Sequence, residues 1–434
     1  MNRWTTAAIL IAIALGPASA LAQDDADSDL TATYSEKVGE SNTLTQLLEY
    51  AEDNAPALRE ARKRVEVGDA AIEGARKFQP FNPELEGEMN LGLTDAGLKK
   101  TEVVFKQRFE IAGERGLRIE SARKRKKILK SQLARAEWDV HERVHGLYRT
   151  GLVDRERIEI EREILEFTRE LVTIARTRFE SGEEPKTSLV VARAEVATAR
   201  QRLVEAWLGY IRTLRDLGET IGWEKDDPPQ PTGELHEAKA TPEDEELVEK
   251  ALEYDPQLKL LHAHLERQRA KLTLDRRGVQ PNPIVGVGWE GENFDGDTVG
   301  HSIKLVVGLP LPIWNRNQGK IAADQARIRV IREKIANRKK TLKTRVRKQA
   351  AAVQSAYEQT RIYEEEVLPA LETQLELLRE GFKLGEMNLL DVMSARDRLL
   401  AVQRQHLDAL EEYFVAVSEL EKLLGTSIWE SEEH

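Results

Sequence analysis

The chain of 434 residues contains no cysteine. Disulfides, thiolate catalysis, zinc–cysteine sites and an N-terminal lipid-modified cysteine are thereby excluded. Eight histidines and four methionines amount to no enrichment for metal ligands. Positive charge is not in excess either: 65 Lys+Arg stand against 76 Asp+Glu, a net charge of −11. Such a chain has no general electrostatic attraction to nucleic acid. Beyond the N-terminus no segment reaches the ~18 continuous apolar residues of a spanning helix. What is abundant is charge, 32% of residues against 40% hydrophobic, a balance typical of long solvated helices.

The N-terminus reads as a secretion signal. Arg3 supplies positive charge, Ala7 to Leu15 form a short apolar core, and Ala18-Ser19-Ala20 and Ala20-Leu21-Ala22 are small-x-small cleavage sites. Cleavage is expected after Ala22, where the acidic stretch Gln23-Asp24-Asp25 begins, with Ala20 as the alternative. The apolar run is too short to remain as an anchor.

Internal repetition is the next signal. Leu47, Glu49, Ala51, Pro56 and Leu58 recur 200 residues later as Leu247, Glu249, Ala251, Pro256 and Leu258. Gln79-Pro80 and Asn82-Pro83 recur as Gln280-Pro281 and Asn282-Pro283. Phe179, Gly182, Ala192 and Arg193 recur as Phe382, Gly385, Ala395 and Arg396, and each half nears its end with a tryptophan, Trp223 and Trp429. Asp226-Asp227-Pro228-Pro229-Gln230-Pro231 cannot continue a helix. The expected organisation is a signal peptide (1–22), repeat one (23–225), a linker (226–240) and repeat two (241–434).

Each repeat opens with helices. Thr43 and Gln46 are spaced as a capping box, and Thr241 is expected to cap the equivalent helix, with Pro242 at its first position and acids in its first turn. The pattern then changes to period two. Leu85, Met89, Leu91 and Leu93 alternate with Glu86, Glu88, Asn90 and Gly92; Val103, Phe105, Phe109 and Ile111 form the return strand. Repeat two matches with Val285, Val287 and Trp289, then Ile303, Leu305, Val307 and Leu309. These hairpins, about 84–111 and 284–309, suit tilted transmembrane strands as well as soluble ones. A very long helix follows in each repeat. Ile328, Ile331, Ile335, Leu342, Val346, Val353 and Tyr357 form a heptad seam, and Pro369 is the only proline between Gly319 and Leu384. Gly182 and Gly385 are expected to end the helices before return helices run to about Leu217 and Leu424.

Such helices are too thin to bury a globular core and must pack against copies of themselves. Four strands cannot close a barrel, and open edges are not tolerated in lipid. Three chains supply 12 strands; two supply eight, which leaves little lumen.

The layout resembles the TolC-like outer membrane factors of bacterial efflux and secretion systems over nearly the whole mature chain. More narrowly it is similar to the branch serving heavy-metal-cation efflux of the cobalt–zinc–cadmium type. The matching residues are Asn82-Pro83, Ile111-Ala112-Gly113-Glu114-Arg115-Gly116-Leu117-Arg118 and Leu309-Pro310-Leu311-Pro312-Ile313-Trp314-Asn315-Arg316-Asn317-Gln318-Gly319. The resemblance implies a mainly α protomer with four transmembrane strands, closed as a homotrimer in the outer membrane of a Gram-negative bacterium. A helical barrel would project through the periplasm to an adaptor (membrane fusion) protein and an inner-membrane RND pump. It implies a passive duct, most simply for heavy-metal cations, with no enzyme activity and no cofactor; drug efflux, type I secretion, or a soluble periplasmic scaffold or adaptor are the alternatives. Strand-to-helix turns fall at Gly113, Gly116, Pro310, Pro312, Asn315, Asn317 and Gly319. Phe179, Gly182, Phe382 and Gly385 mark the tips where adaptors dock in the family. Asp391 matches a periplasmic gate acid, whereas the second acid of the family's Asp-x-x-Asp pattern is Ser394 here, and repeat one carries Ser188 at the Asp391 position.

His141-Glu142-Arg143-Val144-His145 matches the metalloprotease pattern His-Glu-x-x-His. It lies inside a long charged helix, Val144 fits a seam with Val140 and Leu147, and no third ligand is in view. The expectation is exposed helix positions rather than catalysis. His262 and His264 are two apart and point to different faces. No residue is assigned to catalysis, a cofactor or a metal.

Overall fold

The computed structural model describes residues 38–90, 100–183, 185–235, 238–294, 298–384, 386–387 and 389–429. The expected signal peptide, Leu91, Leu93 and Gly385 lie outside the described residues.

Both repeats run through the same series of elements. In the first, β1 (Ser41–Asn42) precedes α1 (Leu44–Asn54), α2 (Pro56–Arg76), β2 (Glu84–Asn90), β3 (Lys100–Arg108), α3 (Glu114–Glu180) and α4 (Lys186–Ile221). After β4 (Gln230–Pro231), the second has α5 (Asp244–Tyr254), α6 (Pro256–Arg277), β5 (Ile284–Phe294), β6 (Thr298–Gly308), α7 (Gln318–Ile362), α8 (Leu368–Lys383) and α9 (Leu389–Leu424). A parallel ladder pairs Ser41 with Gln230 and Asn42 with Pro231, so the linker is tied back to the start of repeat one.

Local chemistry sets these boundaries. Thr43 forms the capping box of α1: its Oγ1 accepts from the Gln46 N–H at 3.3 Å, and its own N–H donates to Gln46 Oε1 at 2.9 Å. The cap expected at Thr241 is not there. Helix α5 starts after Glu243, and the N–H and Oγ1 of Thr241 instead reach Gln354 Oε1 of α7 at 3.4 and 3.2 Å. A tertiary partner has taken the side chain. Asp244, Glu245 and Glu246 still place negative charge on the first turn. Pro56 and Pro256 open α2 and α6, where a missing N–H costs nothing.

The repeats bury matching cores. Leu47, Ala51 and Leu58 pack on Val140, Val144, Tyr148, Leu217 and Ile221. Leu247, Ala251 and Leu258 pack on Leu342, Val346, Val353, Leu420 and Leu424. Each buried leucine, isoleucine or valine among them contributes about 1.5–3 kcal/mol relative to exposure. Gly222 and Gly425 end α4 and α9 at φ of 73° and 74°. A Cβ there would sit 2.4 Å from the Asn54 carbonyl oxygen and 2.7 Å from that of Tyr254, so both positions need glycine for conformation and for space.

Helix α3 runs unbroken for 67 residues, roughly 100 Å at 1.5 Å per residue. Its counterpart does not. After α7, residues Tyr363–Val367 form a π-helical turn before α8. Pro369 explains the break: it lacks an N–H, and its ring crowds the carbonyl four residues earlier, which a widened turn relieves.

The hairpins join in one antiparallel sheet of order β2-β3-β5-β6. Phe109 and Ile111 fall beyond β3, and Leu309 beyond β6. The register lines up Leu85, Phe105, Val287 and Leu305 across all four strands, and all four are exposed. Val103, Trp289 and Ile303 share that exposed apolar face. The other face carries ion pairs between Lys106 and Glu86, Lys304 and Glu102 at 2.7 Å, and Lys100 and Glu290 at 2.9 Å. Among the described residues no helix is long and apolar enough to cross a membrane.

Candidate functional site

Two ends of the helical hairpins carry the expected site residues. At the sheet end, Gly113 precedes α3 at φ 77°, and the buried Glu114 accepts the Ala112 N–H at 2.9 Å. Asn317 takes the same left-handed conformation before α7, at φ 56°, a region that asparagine tolerates. Asn315 Oδ1 accepts the Asn317 N–H at 3.1 Å, and Arg316 Nε donates to the Pro312 carbonyl at 3.2 Å. Pro310 and Pro312 follow the last residue of β6, where neither is asked for a ladder N–H. Gly116 and Gly319 have open space where a Cβ would stand. Packing within one chain therefore does not require glycine at either position.

At the far end, Gly182 stands at φ 81°. Its N–H donates to the Phe179 carbonyl at 3.1 Å, and the Glu183 N–H to that of Arg178 at 2.8 Å, the paired bonds of a Schellman cap. Phe179 is partly exposed. The Phe382 side chain lies outside the described residues, as Gly385 does. Behind the tips, Phe167, Leu171, Ala175 and Ala192 of repeat one bury against Val392 and Met393 of repeat two. Asp391, in the first turn of α9, is exposed on the side away from this cluster. Ser394 and Arg398 continue the exposed side at i+3 and i+7.

Sequence reasoning did not find the contacts that tie α9 to α3. Arg396 is 2% exposed. Its guanidinium donates to Thr168 Oγ1 at 2.8 Å, Glu195 Oε2 at 3.2 Å and Asp397 Oδ1 at 2.7 Å. Further along, Arg404 forms a fork on Glu161 at 2.7 and 3.0 Å. Arg157 bridges Asp154, Asp408 and Glu411 at 3.0, 2.8 and 3.2 Å. The signal was present for Arg396 alone, as the repeat mate of Arg193. Arg193 itself is exposed.

The His-Glu-x-x-His run requires a correction. Glu142 and His145 were expected to be exposed, but they are 5% and 7% exposed. The cause is that α3 is covered on several sides, by α1, α4 and α9 among others, so more than one stripe is buried. The motif is also split by its surroundings. Glu142 feels Glu421, Glu419, Lys422 and Arg149, whereas His145 and His141 line a groove against α1. Among the described residues no group of three or more His, Asp or Glu side chains is arranged to hold a metal ion.

Burial, reinforced by the Glu421 charge and opposed by Arg149, raises the Glu142 pKa to about 9. Burial also lowers that of His145 to about 3, with His141 and Arg149 adding to the shift. A raised carboxyl pKa gives stability that is complete below the unfolded value and is lost as pH rises toward 9. Between about pH 7.5 and 9 His145 is neutral in both states, so Glu142 dominates. Wild-type melting temperature should therefore fall across that window, and Glu142→Gln should flatten the decline. A variant whose slope equals that of wild type would mean that Glu142 is already ionised in the fold.

The comparisons with known proteins bear on the whole arrangement. The model of the family described as outer membrane efflux protein matches residues 47–222 and 247–426, one segment in each repeat. The chain belongs to the outer membrane efflux protein family. The cobalt-zinc-cadmium resistance protein CzcC of Cupriavidus metallidurans is 25% identical over 95% of this chain and 96% of its own length. Among solved structures, CusC has a TM-score of 0.70 at 17% identity, covering 88% of this chain and 92% of that one. The CmeC outer membrane channel of Campylobacter jejuni has a TM-score of 0.69 at 16% identity, covering 90% and 87%. These structures establish the fold. Membership in this efflux family places the chain in the outer membrane as a passive channel and not an enzyme. The long helices form the periplasmic part.

Proposed function

We propose that three copies close into a 12-stranded barrel continuous with a helical duct, and that the duct passes heavy-metal cations. One observation carries the closure. Among the described residues strands β2 and β6 are the edges of the sheet, beside an exposed apolar face, and in lipid such edges need the next copy. The cargo reading rests on the likeness to CzcC over nearly the full length of both chains. A periplasmic adaptor and an inner-membrane pump of the RND type would feed the duct, with docking at the tips around Phe179, Gly182, Phe382 and Gly385. Deleting the gene and measuring tolerance to zinc, cobalt and cadmium beside detergents and dyes tests the cargo. Loss of metal tolerance alone supports it; loss of drug tolerance alone reassigns the duct to drug efflux.

Asp391 is the proposed gate residue. Three copies near a three-fold axis put like charges close together, so repulsion opposes closure and a cation relieves it. Asp391→Asn should reduce cation selectivity and weaken block by multivalent ions in single-channel recordings at matched ionic strength. Unchanged selectivity and unchanged block would leave Asp391 as an acid favoured at a helix N-terminus.

A further inference from the structure

The split motif leaves two histidines in one place. His141 and His145 lie one turn apart on α3, with ring centroids 4.4 Å apart and planes inclined by 38°. Both line a groove of about 470 Å³ between α1 and α3, together with Glu49, Glu52 and Glu137. Glu137 precedes His141 by one turn, so the three side chains descend a single face. His145 is more than nine-tenths buried, and its Nε2 has no hydrogen-bond partner. A buried polar atom left unsatisfied costs about 1–3 kcal/mol, which marks a position awaiting a partner.

We propose that this groove binds one borderline divalent cation of the zinc class per chain, chelated by the imidazoles of His141 and His145. With Zn–N bonds of 2.0–2.1 Å and tetrahedral angles, the ring centroids of a two-histidine chelate stand roughly 5 Å apart or slightly more. The rings are thus within about 1 Å of chelating separation. Imidazole nitrogen selects zinc, copper and nickel over calcium and magnesium. The positive charge of Arg149, next along the face, is offset by Glu421 at 3.6 Å. Glu137, Glu49 or Glu52 supplies the third ligand by rotating into the groove, and water supplies the fourth. A peptidase does not result, since the Glu142 carboxyl faces the charged groups of α9 rather than the groove.

The site stands whatever the duct carries, because its test reads binding and not export. The full chain, assembled in detergent and stripped with a chelator, is titrated with zinc ion. We expect one tight site per chain. His141→Ala, at a half-buried position that folding tolerates, should weaken it at least tenfold, as should His145→Ala. His262→Ala/His264→Ala should leave it unchanged. Trp138 stacks on His141 at 5.3 Å, so copper ion in the same site should quench its fluorescence, and Trp138→Phe should remove the quench while keeping the zinc stoichiometry. Zinc binding that survives His141→Ala, or that is lost equally with His262 and His264, overturns the proposal.

Discussion

Leu305→Arg should abolish assembly of the membrane barrel, read as loss of the heat-modifiable band on gels and of material in the outer-membrane fraction. Leu305 lies in the exposed row with Leu85, Phe105 and Val287, so an arginine there would face lipid. The cost near the bilayer midplane is about 2–4 kcal/mol per chain, and in the proposed trimer each chain bears it. Phe105→Arg should behave in the same way. Lys106→Gln, on the opposite face, loses the ion pair to Glu86 but keeps a polar group toward water, and should assemble normally. The contrast between neighbouring positions 105 and 106 is the sharp part of the test. If Leu305→Arg and Phe105→Arg both assembled, the face assignment would be inverted or the barrel absent.

That alternation was legible from sequence because strand side chains repeat every two residues and one face of the sheet is apolar. The tandem series of helices was legible for a similar reason: Leu47 and Leu247, or Pro56 and Pro256, mark the same packing position twice. Burial on the far sides of the long helices was not. A heptad seam identifies one buried stripe, yet α3 is covered by α1, α4 and α9 as well, which buries Glu142 and His145. Nothing local distinguishes such positions from solvated ones, because the covering helices come from more than 70 residues away in sequence. The π turn at Tyr363–Val367 was half legible: Pro369 announced a disturbance, but not whether the helix would kink, end or widen. Asp391 was singled out by resemblance alone, and the exposed face of its helix also carries Arg398.

Arg396 shows most directly how the repeats diverge. It and Arg193 occupy the same place in their repeats, but Arg193 is exposed while Arg396 is 2% exposed between α3 and α4. The returning helix of repeat two lies against the hairpin of repeat one, with Val392 and Met393 packed on Phe167 and Leu171. Arg396 therefore ties the tip of repeat two to that of repeat one through Thr168 and Glu195. Arg396→Ala should loosen this junction by about 3 kcal/mol, the lower end for breaking a buried pair, because Glu195 and Asp397 are partly exposed and stay solvated. Thr168 keeps its bond to the Ile164 carbonyl at 2.7 Å and is not orphaned. Freed helices should sample open positions more often, so single-channel conductance should rise and protease should cut near Gly182 sooner. Arg396→Lys keeps the charge but loses the planar fork, and should fall between wild type and alanine. Alanine and lysine variants with wild-type conductance and wild-type protection would show that the apolar cluster around Leu171 and Val392 holds the tips together without the arginine.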